Sequence, residues 1–219
     1  VSPCATIAVT DAAPRDDLLT QTGLPARGAG AVLVIACGAL AHEVLALKQI
    51  NGWDHLDLTC LPAIWHNHPE RIVPGIREAV ERHRSTYKTI FVAYGDCGTG
   101  GLLAQTCDAL GVEMIAGPHC YAFFDGLDRF TSREETTSFY LTDFLTRQFD
   151  AFVWRPLGMD RHPELVPLYF GNYERLVYLA QTDDLALDHK ARDCARRLGL
   201  DYERRLTGYG DLATALGAL

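Results

Sequence analysis

The sequence has no CxxC pair, so its cysteines do not form the local clusters by which zinc ribbons are recognised. It has no apolar run near the ~18 residues of a membrane span. The first residues lack the basic-then-apolar pattern of an export signal. The expectation is a cytoplasmic protein with no membrane partner. Basic clusters are also missing and the net charge is -8, which argues against a nucleic-acid partner. No GxSxG elbow occurs, which removes the usual signature of a serine hydrolase. The phosphate-loop pattern GxxxxGK[ST] is absent, and Gly95-x-x-Gly98-x-Gly100 does not follow the order GxGxxG, so a nucleotide reading is weak.

What is present starts with seven cysteines, an odd count in a 219-residue chain large enough to fold without disulfide staples. That favours a reducing compartment, with the cysteines serving as core residues or ligands. Hydrophobic residues make up 48% of the chain, enough for a sizeable core. The chain reads as an N-terminal arm over 1-30 and a single α/β domain over 31-219. The arm carries Pro3, Pro14 and Pro25 and is expected to be loose, with a short helix at Asp16 to Gln21.

Apolar runs at Ala31 to Ala36, Leu56 to Leu61, Thr89 to Ala93 and Val112 to Ala116 read as strands. Helical stretches about Leu40 to Ile50, Val73 to Arg84 and Leu102 to Leu110 separate them. Arg175 to Leu179 and Tyr202 to Leu206 add a fifth and sixth strand around a helix from Asp183 to Gly199. Strands alternating with helices predict a doubly wound, mainly parallel sheet of five to six strands. A helical segment about 132-171 is expected to be inserted or appended. Ser132 with Glu135 resembles a capping box, and the helix it would start carries Phe139, Tyr140, Phe144 and Phe149. That much aromatic surface predicts burial in the core or at the interface of a homodimer.

Open parallel sheets bind ligands at the carboxyl ends of their strands. Cys37, Cys97 and Cys120 each follow a predicted strand and stand beside glycine or histidine. Strand order can gather them, so they are the candidate metal ligands, with His66 as a further ligand or proton carrier. His68 and His119 are lesser candidates. Glu43 is a candidate general base, although a first-turn carboxylate is also what a helix dipole favours. Asp96 is a candidate support for Cys97. Gly38, Gly95, Gly98 and Tyr121 are expected close to a bound cofactor. The aromatic stretch Tyr121 to Phe130 suggests a lid or wall. Cys60, Cys107 and Cys194 fit core positions, and Cys4 belongs to the arm.

Together, Ala36-Cys37-Gly38-Ala39-Leu40 with Glu43, Leu61-Pro62-Ala63 with His66-Asn67 and Pro69, Tyr94-Gly95-Asp96-Cys97-Gly98-Thr99-Gly100, His119-Cys120-Tyr121 and Tyr140-Leu141-Thr142-Asp143-Phe144 resemble one family. It is a domain-of-unknown-function family of bacteria and methanogenic archaea, and the likeness runs from about residue 31 to 206. Its members often stand beside corrinoid-dependent methyltransferase components, which implies one-carbon metabolism by association. Two functions are expected on that footing. The first is a zinc-dependent methyltransferase that acts with a corrinoid protein or methyltransferase component and a small-molecule thiol or folate. The second is a non-catalytic protein holding a [4Fe-4S] cluster or a metal, which it supplies to such a system. The histidines near the cysteines favour zinc.

Overall fold

A computed structural model describes residues 13–219; the first part of the arm, Cys4 included, lies outside the described residues. The chain runs α1 (Asp16–Gln21), β1 (Val32–Cys37), α2 (Ala41–Asn51), β2 (Leu56–Leu61), α3 (Ile72–His83), β3 (Thr89–Ala93), α4 (Leu102–Leu110) and β4 (Glu113–Met114). These strands form a four-stranded sheet in the order β2-β1-β3-β4, with every pair parallel. β1 is an inner strand, and all six of its residues are buried. A continuous apolar run suits a strand covered on both faces. Gly52 ends α2 in the left-handed conformation, at φ 63°, which glycine adopts without a steric penalty.

The chain continues through α5 (Ala122–Asp125), α6 (Leu127–Arg133), β5 (Ser138–Leu141), α7 (Asp143–Arg147), α8 (Val166–Phe170), β6 (Arg175–Ala180), α9 (Leu185–Leu198), β7 (Asp201–Leu206) and α10 (Gly210–Gly217). Strands β5, β6 and β7 pair in parallel as a second, three-stranded sheet. The parallel α/β class is as the sequence predicts. The strands, however, divide between two sheets instead of sharing one. β4 pairs over only two residues, Phe91 with Glu113 and Val92 with Met114, and the chain then leaves for α5 without extending that edge. One hydrophobic core nevertheless runs through both sheets.

The helix expected from Ser132 to Phe149 is not formed. Ser132 closes the last turns of α6, its hydroxyl donating to the Arg129 carbonyl at 3.0 Å. Glu135 does not cap a helix; it takes two hydrogen bonds from Arg205, at 2.7 and 2.8 Å, and one from the Tyr140 hydroxyl at 2.6 Å. Phe139 and Tyr140 lie half-buried in β5, whereas Phe144 and Phe149 are buried in the core.

Residues 13–30 are not loose. Leu19 is fully buried, and Leu24 exchanges both backbone hydrogen bonds with Cys60, at 2.9 and 2.8 Å. The Asp57 carboxylate accepts the backbone N–H groups of Arg27, Gly28 and Ala29 and the Tyr87 hydroxyl. α1 occupies the residues read from the sequence and is packed on the domain.

Candidate thiol site and aromatic cleft

The carboxyl ends of all four strands of the first sheet contribute to one place. Cys37 is the last residue of β1, Tyr94 and Cys97 follow β3, and His119 and Cys120 follow β4. His66 sits on the 3-10 turn Ala63–Asn67 after β2. Strand order reverses between β1 and β3, and such a switch point opens a crevice at the sheet edge.

Local chemistry then brings two sulfurs into contact. The Asp96 carboxylate accepts from the Thr99 hydroxyl at 2.8 Å and from the N–H groups of Gly100 and Gly101 at 3.0 and 2.6 Å, which closes the turn. The Asp96 and Cys97 N–H groups donate to the Gly117 and Pro118 carbonyls, both at 2.8 Å. A side chain at Gly95 would stand 2.8 Å from the His119 carbonyl carbon, so only glycine allows the two loops to lie this close. Cys97 adopts φ 47°, a left-handed conformation uncommon outside glycine. The result is a Cys97 Sγ to Cys120 Sγ distance of 3.4 Å.

Cys37, Tyr94, Cys97 and Cys120 line a chamber of about 30 Å³, with His66 and His119 on its wall. That is room enough for a water-sized group. His66, His119, Tyr121 and Phe152 also line a cleft of about 810 Å³, which continues along Phe139 and Tyr140 of β5. The chamber is thus the floor of a large aromatic cleft. His119 stacks on Tyr121 at 4.9 Å between ring centres, and Tyr121 stacks on Tyr140 at 5.4 Å. Phe130 meets both tyrosines. Asn67 donates from Nδ2 to the Phe152 carbonyl at 3.1 Å and ties the His66 turn to the opposite wall.

The thiols differ in acidity. Donation by the Cys120 S–H pulls the Cys97 thiol below its ordinary value, and the backbone N–H groups of Cys120 and Gly95 act in the same direction. Cys120, as the donor, is raised well above the ordinary thiol range. Burial pushes Cys37 up to about 12, and the charge on Cys97 adds to that. The Tyr94 hydroxyl lies beside Cys37, buried and without a hydrogen bond of good geometry. Burial lowers the imidazoles of His66 and His119, and His66 is lowered further by the charge of His119. Both rings are therefore neutral at neutral pH.

Among the described residues, no three His, Cys, Asp or Glu side chains stand ready to hold an ion as they are. Cys97 and Cys120 are in contact, and Cys37 stands apart from them in the same chamber. His66 is exposed to the cleft, and the walls around it, not full burial, take water from its ring and depress the imidazole. Glu43 does not enter the chamber; it lines a separate cavity. His68 borders the cleft, 3.5 Å from Glu70. Gly38 and Gly95 are packed against neighbouring backbone where a side chain would be, while Gly98 turns the chain at φ 84°. Asp96 supports the turn that carries Cys97. Within the stretch Tyr121 to Phe130, Tyr121 forms cleft wall with Phe130 packed against it, whereas Phe123 and Phe124 are buried, Phe124 against the thiol chamber. Cys60, Cys107 and Cys194 are buried in the core.

Sequence reasoning missed Tyr94 and Phe152. Tyr94 follows an apolar strand directly, and a tyrosine at a strand's carboxyl end is the signal that was available. Phe152 lies on a π-helical turn, Asp150–Trp154, with no sequence mark of its place.

Comparison with curated proteins and with solved structures found no match. The model of the family described as "Protein of unknown function (DUF1638)" matches residues 60–216, most of the chain and three of the four strand-end segments described above, so the chain belongs to that family.

Proposed function

We propose that this protein is a zinc-dependent methyltransferase that passes a methyl group from a corrinoid to a small-molecule thiol, with Cys37, Cys97 and Cys120 holding the ion. One observation carries the reading: three strand-end cysteines share a chamber at the floor of an aromatic cleft. The donor set fits a thiophilic ion. The 3.4 Å between Cys97 and Cys120 is close to the ~3.8 Å that two ~2.3 Å Zn–S bonds span at a tetrahedral angle. Cys37 would be drawn in to complete three thiolate ligands. The histidines beside the cysteines favour zinc over a four-iron cluster. Zinc bound there supplies the positive charge that keeps an acceptor thiol ionised at neutral pH.

The chain's own residues do the rest. His66, neutral and open to the cleft, accepts the thiol proton. The corrinoid would supply the methyl group, which would pass to the thiolate sulfur with the electron pair of the broken bond left on the donor. The stacked faces of Tyr121 and Tyr140 offer a flat apolar wall to the corrin ring, and Phe152 with Leu145 keeps water from the chamber. The corrinoid assignment takes its support from the family resemblance. A cytoplasmic homodimer working with a corrinoid protein, and a folate as the other candidate acceptor, belong to the same reading.

Metal analysis of anaerobically purified protein tests it. We expect about one zinc per chain, lost in Cys97→Ser and Cys120→Ser and retained in Cys107→Ala. Iron with a brown chromophore overturns zinc, and a metal-free, folded protein overturns the site. Loss of methylcobalamin absorbance in the presence of thiol should slow about 10²-fold in His66→Ala.

A further inference from the structure

The aromatic cleft above the thiol chamber, at about 810 Å³, is within the size range of small-molecule pockets. Its lining differs from the chain at large. Charged residues make up 22% of the sequence, yet none of the described residues that line the cleft is Asp, Glu, Lys or Arg.

Charges on neighbouring residues are paired among themselves. Glu135 takes the Tyr140 hydroxyl, and Arg205 holds its carboxylate from the other side. Glu70 is shared by His68, at 3.5 Å, and Arg71, at 3.9 Å. What faces the cleft is polar without fixed charge: the imidazoles of His66 and His119, the Asn67 amide and the phenols of Tyr121 and Tyr173. An ion drawn into such a lining gives up water and meets no counter-charge, which is costly. An uncharged molecule loses little and still finds hydrogen-bond partners.

The rest of the lining is rich in rings. His119, Tyr121 and Tyr140 form a near-parallel stack, with interplanar angles of 15° and 16°. Phe139 meets Phe170 and Tyr173 edge to face, at 87° and 74°. Both pairings that aromatic rings favour are thus present in one cleft.

We infer that the cleft binds an uncharged molecule that carries an aromatic ring, and that the methyl acceptor is accordingly an uncharged aromatic thiol. The second half rests on the methyl transfer proposed above, in which the corrin ring meets Tyr121 and Tyr140 and the acceptor lies next to the zinc. The first half stands on the cleft alone.

Calorimetric titration of the full chain with naphthylmethanol tests the first half, beside naphthoate, naphthylmethylamine and the saturated decahydronaphthylmethanol. The aromatic alcohol should bind at about 1 mM or below, and each of the others about tenfold more weakly. Prior treatment with a chelator should leave these affinities unchanged, because the probe carries no thiol. Phe152→Leu, which keeps the apolar volume and removes a ring, should weaken the alcohol about fivefold. Leu157→Lys should strengthen naphthoate about tenfold. No binding of the alcohol, or naphthoate bound as tightly by the unaltered protein, overturns the inference; should the variants fail to fold, these titrations decide alone. For the second half, methylcobalamin should be demethylated about tenfold faster with naphthylmethanethiol than with mercaptopropionate. The reverse order overturns the acceptor assignment. Binding of the alcohol with no reaction of either thiol overturns the methyl-transfer reading and leaves the cleft's ligand class standing.

Discussion

Glu43 opens α2, where the helix dipole favours an ionised carboxylate. Burial outweighs that preference and raises its carboxyl from 4.5 to about 7. Arg147 and His42 favour the anion, Asp143 opposes it, and none of them offsets the loss of water. The proton is held more tightly in the folded protein than in the unfolded one. The stabilisation is therefore complete below about pH 4.5 and is lost as pH rises through about 7. Its full size is on the order of 3 kcal/mol. Glu43→Gln should remove this dependence. In urea titrations, the variant's stability should gain on the unaltered protein between about pH 5 and pH 8. An equal difference at both pH values would show that Glu43 does not titrate in this window.

At the scale of elements, the loops after β3 and β4 determine where the thiols sit. They are joined by two backbone hydrogen bonds and by the missing side chain of Gly95. Gly95→Ala would force a methyl group against the His119 backbone, at a cost of about 1–3 kcal/mol. The expected result is a lower melting temperature and slower bridging of Cys97 to Cys120 by a bifunctional arsenical, with Cys37 unaffected. Unchanged bridging would mean that the loops meet for another reason. The strand-end cysteines and the first four strands were readable because apolar runs ending in Cys-Gly or Gly-Asp-Cys carry their own punctuation. β5 was not readable. Ser138 to Leu141 is too short to display a period of two, and Phe144 and Phe149 downstream mimic a helical stripe. The cavity that Glu43 lines was hidden for a different reason: its lining residues come from α1, α2 and α7 and from the segments after β6 and β7, which no local pattern connects.

The molecule as a whole is two parallel sheets on one core, and no helix among the described residues is long and apolar enough to cross a membrane. Leu168 and Tyr169 of α8 are exposed at 74% and 43%, an apolar pair suited to the homodimer interface proposed above. Light scattering should give about twice the single-chain 24.2 kDa, and Leu168→Glu should return it to that value. A mass of one chain at high concentration would reject the dimer.

Every strand pairing in both sheets is parallel, so each one waits for an intervening crossover to close. Cys37 reaches Cys97 only after two such crossovers, whereas Cys97 and Cys120 are separated by one short helix. During synthesis the thiols are therefore unprotected long before their chamber exists, and oxidation at that stage would lock wrong pairs. Renaturation from urea should give full yield with a reductant present and a much lower yield in air, while the already folded protein, its Cys37 sealed at 6% exposure, should tolerate the same air for far longer.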